Sequence, residues 1–439
     1  MEDKPQVSQI GSGAIAQNGG VAAGERGVAI GGDVSNSPII SGDHNRVTIY
    51  QSFAAAPAPV SKYIRVREFE SLIKERTAGF VGRDFIFKAI DGFLIDSSFT
   101  SGYIIIRGEP GIGKSALIGE LVNRRGYVHH FNIAPQNIRS ARDFLGNVCA
   151  QLIARYQLDY ATLPPEAVQD SGFLNKLLNQ VSLKTDNRPV VVLVDALDEA
   201  EDVGLPADAN RLYLPQTLPE GVFLVVTSRE EHDFRLNVDR REDIYLRDDS
   251  PENLADVRQY VSNFIAAHQP AMGERIQQWE VSEEDFVAII TEKSQGNFMY
   301  LVHVLRDIHK GLLTKSNVDN IRKLPQGLRA YYQRHWRTMK DQDPARFAHY
   351  YQPVVCLLAT VREPVHIADL VQWTHLEPTA ITQVIQTWRE FLNEDEDENG
   401  EPLYRVYHAS FQDFLQDEVG LKQYHHQISQ SALDKIPGW

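Results

Sequence analysis

The segment Gly108-Glu109-Pro110-Gly111-Ile112-Gly113-Lys114-Ser115 sets glycines, a lysine and a hydroxyl in the order G-x-x-x-x-G-K-S. Glycines at this spacing let the backbone turn tightly and present its N–H groups to phosphate oxygens. The apolar run Tyr103–Ile106 leads into the loop, and Ala116, Leu117 and Leu121 begin a helix after it. A helix N-terminus adds the positive end of its dipole to such a cradle. Lys114 is then placed to reach β and γ phosphates, and the Ser115 hydroxyl to ligate Mg²⁺. The expected nucleotide contacts run from Gly108, Glu109, Pro110, Gly111, Ile112 and Gly113 through Lys114 and Ser115 to Ala116.

A phosphate loop needs a second strand that brings a carboxylate to the metal. Val190-Val191-Val192-Leu193-Val194 supplies the strand and Asp195 its carboxyl end, the edge where ligands sit in open α/β sheets. Asp195 is therefore the second expected Mg²⁺ ligand, with Ser115. Asp198 and Glu199 follow at once, carboxylates suited to orienting a hydrolytic water. A third apolar strand, Val222–Val226, ends in Thr227-Ser228-Arg229, which puts a guanidinium on the same edge as the phosphates. Arg229 is the expected γ-phosphate sensor. Phe80-Val81-Gly82-Arg83 precedes the first strand, the place for a lid over the base.

These residues need a sheet and helices to position them. The three apolar runs alternate with helical periodicity, which predicts a buried parallel sheet. After Ser250 the pattern becomes helical: Ser250-Pro251 starts one helix, Ser282 with Asp285 starts another that closes at Gly296, and a third runs from Phe298 to His309. Val365–Val371 and Pro378–Leu392 read as a helix-turn-helix pair, and Asn393–Glu401 as an acidic turn between Leu392 and Leu403. The expected organisation is an α/β domain over 62–250, a helical domain over 251–322, a winged helix over 323–420 and the start of a further helical segment over 421–439. Residues 54–61 form an Ala/Pro linker. Residues 1–53 are glycine-rich, with branched apolar residues at Ile15, Val21, Val28, Val34, Ile40 and Val47. This spacing suits a β-solenoid or a stackable segment, and the composition suits a disordered tail.

Together the motifs resemble the STAND class of P-loop NTPases and, within it, the NACHT type, over residues 78–420. The resemblance rests on Phe80–Arg83, the loop at 108–115, Asp195-Ala196-Leu197-Asp198-Glu199, Thr227–Arg229 and Gly296-Asn297-Phe298-Met299-Tyr300. Ala196 stands where many NACHT proteins have glycine. Gly296-Asn297-Phe298 stands where relatives carry a proline on the adenine. The resemblance implies Gly82 and Arg83 near the adenine, Mg²⁺ on Asp195 and a water positioned by Asp198 or Glu199. It also implies that the winged helix closes over bound ADP, with His408 of Tyr407-His408-Ala409-Ser410-Phe411 on the β phosphate. The implied activity is a switch held closed by ADP. Exchange to ATP drives homo-oligomeric assembly, hydrolysis is slow, and the setting is defence or regulated cell death with a sensor or effector on another protein.

Composition narrows the alternatives. The chain has 439 residues, with 44 Lys and Arg against 59 Asp and Glu, and a net charge of −15. That balance and the acidic run Glu394–Glu398 argue against a DNA-binding regulator, because phosphate contacts need Lys and Arg. Cys149 and Cys356 are the two cysteines, which excludes a disulfide framework. The longest apolar run, Val354–Ala359, is far below the ~20 residues of a membrane helix, so a cytoplasmic protein is expected. The competing readings are a winged-helix transcription regulator and a turnover ATPase or kinase.

Overall fold

Strands β1 (Gly102–Gly108), β2 (Val128–Phe131), β3 (Val190–Asp195), β4 (Val222–Ser228) and β5 (Arg241–Leu246) form one parallel sheet in the order β2-β3-β4-β1-β5. The computed structural model describes residues 59–433 except 97–99, 134–135, 186–187, 202–204, 207–208, 230–234, 237, 239, 317, 362 and 398. The glycine-rich segment 1–53 lies outside the described residues, as does most of the expected linker.

The apolar runs of β1, β3 and β4 are continuous because both faces of the sheet are covered. Tyr103, Ile105, Val190, Val192, Val194, Val222, Leu224 and Val226 pack on the helices Ala141–Arg155 and Ser171–Lys184. The alternate residues Ile104, Ile106, Val191, Leu193, Phe223 and Val225 pack on Val66–Arg76, Asp84–Ile95 and Lys114–Arg125. Because β4 lies between β1 and β3, the ends of three neighbouring strands set the phosphate loop, Asp195 and Arg229 along one edge.

Beyond Ser250 the helices Pro251–Ala267, Ala271–Gln278, Glu283–Ser294, Phe298–Lys310 and Gly327–Gln342 follow. Their starts are capped as the sequence suggests, with Ser250 accepting from the Asn253 N–H and Ser282 from the Asp285 N–H. Next come Gln352–Thr360 and the helix pair Ile367–Thr374 and Pro378–Thr387, then the antiparallel hairpin of β6 (Leu392–Glu396) and β7 (Pro402–Val406). Ala409–Glu418 and Lys422–Leu433 close the described chain. One hydrophobic cluster runs from Val257 through Tyr332 and Trp388 to Tyr424, so the helices on both sides of the expected boundary at 322 share a core. Across it the Tyr300 hydroxyl donates to Pro325 O (2.7 Å) and the Tyr331 hydroxyl to Asp307 (2.6 Å). Among the described residues no helix is long and apolar enough to cross a membrane.

The pair His129-His130 lies in β2, where Asn147 Nδ2 donates to His129 O and approaches His130 Nδ1 at 3.2 Å. Burial, the Arg65 charge and His129 push His130 down to about 3, and burial with Arg306, His335 and Arg76 does the same to His303. Well above pH 6.5 neither the folded nor the unfolded chain protonates these groups. Below it the unfolded chain takes up protons that the folded one refuses, so stability falls as pH falls, by about 1 kcal/mol per histidine between pH 6.5 and 5.5. Asp195 and Asp256, whose carboxyls burial pushes up, offset part of this at lower pH. Urea midpoints at pH 7.5 and 5.5 should therefore differ clearly, and equal midpoints would refute the neutral buried pair.

Candidate functional site

The phosphate loop runs from the end of β1 into the helix Lys114–Arg125. Gly111 and Gly113 take φ of +84° and +99°, a region that side-chain-bearing residues avoid. Lys114 Nζ donates to Gly108 O (2.6 Å) and Glu109 O (3.1 Å). Burial pushes its ammonium down against the upward pull of Asp198 and Asp195.

Asp195 is buried at the end of β3. It accepts from Thr227 Oγ1 (2.5 Å) and from the Ser115 side chain. Burial raises its carboxyl, while those two hydrogen bonds and Lys114 pull it down. Ser115 and Asp195 thus stand together at the mouth of the loop. Among the described residues no group of three or more His, Cys, Asp or Glu could hold a metal by itself. The donor set fits Mg²⁺, which takes one or two protein ligands and completes its shell with phosphates and water.

Asp198 and Glu199 follow in a single turn of helix, Leu197–Glu199. Asp198 Oδ2 pairs with Arg229 Nε (2.9 Å), while its buried Oδ1 has no hydrogen-bond partner among the described residues. Arg229 also reaches Asp413 on Ala409–Glu418, through Nη1 at 2.7 Å. Burial works against its charge, but Asp413 and Asp198 outweigh it and hold the guanidinium above its ordinary value. Sequence reasoning missed Asp413, since the contact joins positions with no spacing signal between them.

His408 caps Ala409–Glu418, its Nδ1 accepting from the Ser410 N–H (3.1 Å). Burial and the charges of Arg76, Lys114 and Arg229 hold its imidazole well below the ordinary value, so it is neutral at pH 7. A cavity of about 390 Å³ is lined at one end by Pro110, Gly111, Gly113, Lys114, Ser115, Ala116, Asp195, Asp198, Glu199, Arg229 and His408. Phe80, Val81, Tyr260, Phe298, Met299 and Val302 give it an apolar portion, with Tyr260 and Phe298 edge to face at 5.6 Å. Phosphate-binding groups and an aromatic wall in one cleft make a site for a nucleotide-sized ligand.

Four expected contacts do not line this cavity. Gly82 turns its Cα toward Asp256, whose Oδ1 would lie 1.9 Å from an added Cβ. Gly108 sits in β1 against Leu246, the Ile112 side chain is buried in the core, and Glu109 offers its carbonyl to Lys114. Arg83 lines the cavity but is committed to protein partners. Its Nη1 donates to Asn253 Oδ1 (2.8 Å), its Nη2 to Ile112 O (2.5 Å), and its guanidinium lies over the Phe298 ring. Burial lowers it to about 10 against the Asp256 charge. Arg76, Tyr407, His303 and Arg306 also line it, none of them foreseen as ligand contacts. Arg76 lies over the Tyr407 ring, 4.6 Å from its centre.

Residues 79–225 match the family described as AAA ATPase domain. No curated protein matches the chain. Among solved structures the chain is similar to a Signal Transduction ATPase with Numerous Domains protein with a tetratricopeptide repeat sensor from Pyrococcus horikoshii. Identity is 14% and the TM-score 0.43, over 82% of this chain and 46% of that one, so this chain spans less than half of that protein's length. It is also similar to a mutant RuvB of Thermotoga maritima (11% identity, TM-score 0.31, covering 76% of this chain and 95% of that one). A further likeness is to Drosophila ORC bound to DNA (14% identity, TM-score 0.32, 80% and 99%).

Proposed function

We propose that this P-loop chain is an ATP- and ADP-operated switch of the STAND class, NACHT type, with an α/β domain over 62–250, a helical domain over 251–322 and a winged helix over 323–420. The carrying observation is one cavity that combines the phosphate loop, Asp195 and Arg229 with Phe298 of the helical region and His408 beyond the β6–β7 hairpin. A ligand there touches every part at once, so its phosphates bear on how the parts are held.

In this reading Lys114 holds the β and γ phosphates, and Ser115 with Asp195 holds Mg²⁺, which neutralises phosphate charge. Asp198 or Glu199 orients water, hydrolysis is slow, and it resets the switch. Arg229 must choose between the carboxylates of Asp198 and Asp413 and a γ phosphate. With ADP it stays on Asp413 and ties Ala409–Glu418 to the sheet. With ATP the phosphate competes for the guanidinium, the winged helix is released and copies of the chain assemble. Differential affinity of this kind is what a switch requires. Defence or regulated cell death, with a sensor or effector on another protein and a cytoplasmic setting, completes the reading.

The transcription-regulator alternative has less support. Pro378–Thr387 contains neither Lys nor Arg, and the neighbouring β6 carries Glu394, Asp395 and Glu396, a surface that repels a duplex. A steady-state assay separates the switch from a turnover ATPase. The decisive experiment measures particle mass with ADP, ATP and a nonhydrolysable analogue, and identifies the nucleotide that co-purifies. Bound ADP with small particles, and larger ones with the analogue, is expected. Identical masses with all three would remove the switch.

A further inference from the structure

Three successive carbonyls of the phosphate loop are each held by a donor from outside it. Pro110 O accepts from Asn297 Nδ2 (2.8 Å), Gly111 O from the Met299 N–H (3.1 Å) and Ile112 O from Arg83 Nη2 (2.5 Å). Asn297 and Met299 belong to the start of the helix Phe298–Lys310, where Asn297 Oδ1 also caps the Tyr300 N–H (3.1 Å). Arg83 is anchored in turn. Its backbone N–H donates to Asp256 (3.0 Å), and Asn253 Oδ1 accepts from its guanidinium. Asn253 closes the circuit by donating to Gly296 O (3.0 Å), one residue before Asn297. Gly296 must be glycine there, since φ is +72° and an added Cβ would lie 2.1 Å from Asp248 O.

In a trans peptide the C=O of one residue and the N–H of the next point in opposite directions. Holding the Pro110 and Ile112 carbonyls outward therefore aims the Gly111 and Gly113 N–H groups the other way. Both glycines line the cavity. The Ile112 N–H between them closes a turn on Glu109 O (3.3 Å). The loop conformation is thus fixed by contacts with the helical region as well as by its own glycines.

Resting on the phosphate-site reading above, we infer that Asn297 is a positioning residue for phosphate binding. Its amide on Pro110, in circuit with Arg83 and Asn253, sets the cradle and couples it to the helix Phe298–Lys310. Movement of that helix opens the cradle, and a distorted cradle loosens the helix.

The two ends of Asn297 can be separated in the full-length protein. Asn297→Ser and Asn297→Asp keep an acceptor for the Tyr300 N–H but lose the donor to Pro110; the serine variant adds no charge. Both should bind ADP about tenfold more weakly by titration calorimetry, with the nucleotide-free protein melting only slightly lower for the lost Pro110 contact. Asn297→Ala should lose affinity and melt lower still, because the cap goes as well. If the serine and aspartate variants bind ADP like the native chain, Asn297 is a helix cap only and the inference falls. Lys114→Ala separates the two levels. Normal ADP binding there removes the phosphate site itself. Its loss in that variant beside native binding in Asn297→Ser removes the Asn297 role alone.

Discussion

Lys114→Ala is expected to bring ADP and ATP binding down by about 100-fold, enough that no nucleotide survives gel filtration. The ammonium lies at the mouth of a loop that supplies neutral N–H dipoles, with Asp195, Asp198 and Glu199 around the same cavity. Bringing two or three phosphates among these carboxylates without a fixed cation sets like charges together in a cleft where water screens poorly. The loss should come from binding and not from unfolding. Among the described residues Lys114 donates to Gly108 O and Glu109 O, and burial already lowers its ammonium. The variant should therefore melt near the native temperature without nucleotide and lose the stabilisation that added ADP gives the native chain. Stoichiometric ADP still bound to Lys114→Ala would remove the phosphate site and everything derived from it.

Much of this site is legible in the sequence because its parts are local. The loop at 108–115 is a short contiguous motif, and β1, β3 and β4 are apolar without interruption since both their faces are covered. The two outer strands are not legible. β2 contains His129 and His130; Asn147 and Gln151 donate to the His129 carbonyl and Asn147 lies against His130 Nδ1, a pairing that exists only once the helix Ala141–Arg155 has docked. β5 is an edge strand with Arg241 and Glu242 exposed, so it shows no apolar run. The same division holds for function. Asp195 and Arg229 announce themselves by ending strands, whereas Asp413, Asn253 and Arg76 act across long stretches of chain and carry no spacing signal. Gly82 marks the limit of resemblance, because family likeness places it by the base while its backbone here turns toward Asp256. Arg83 lines the cavity and also braces Ile112 O, a contact that no local spacing announces.

His408→Ala is expected to weaken ADP about tenfold and to shift the ADP-bound protein toward larger assemblies. Because Nδ1 accepts the Ser410 N–H, the neutral ring carries its proton on Nε2, which makes that nitrogen a donor for a phosphate oxygen. Other ties hold the same stretch to the α/β core without any ligand, among them Arg229 on Asp413 and Arg76 on the ring and carbonyl of Tyr407. Removing the imidazole should therefore leave the nucleotide-free protein folded and clasped, and its effect should appear in the response to ADP. The substitution also removes a helix cap, worth about 1 kcal/mol. His408→Asn, which offers a shorter cap acceptor and no ring, controls for that loss. Weak ADP binding in both variants, with assembly in the presence of ADP, is the signature of a phosphate latch. If ADP binds His408→Asn as tightly as the native chain, His408 is a cap and nothing more. The closure of Ala409–Glu418 over the cavity would then rest on Arg229 and Arg76, and ADP would have to act on it through the Asp198–Arg229–Asp413 bridge alone.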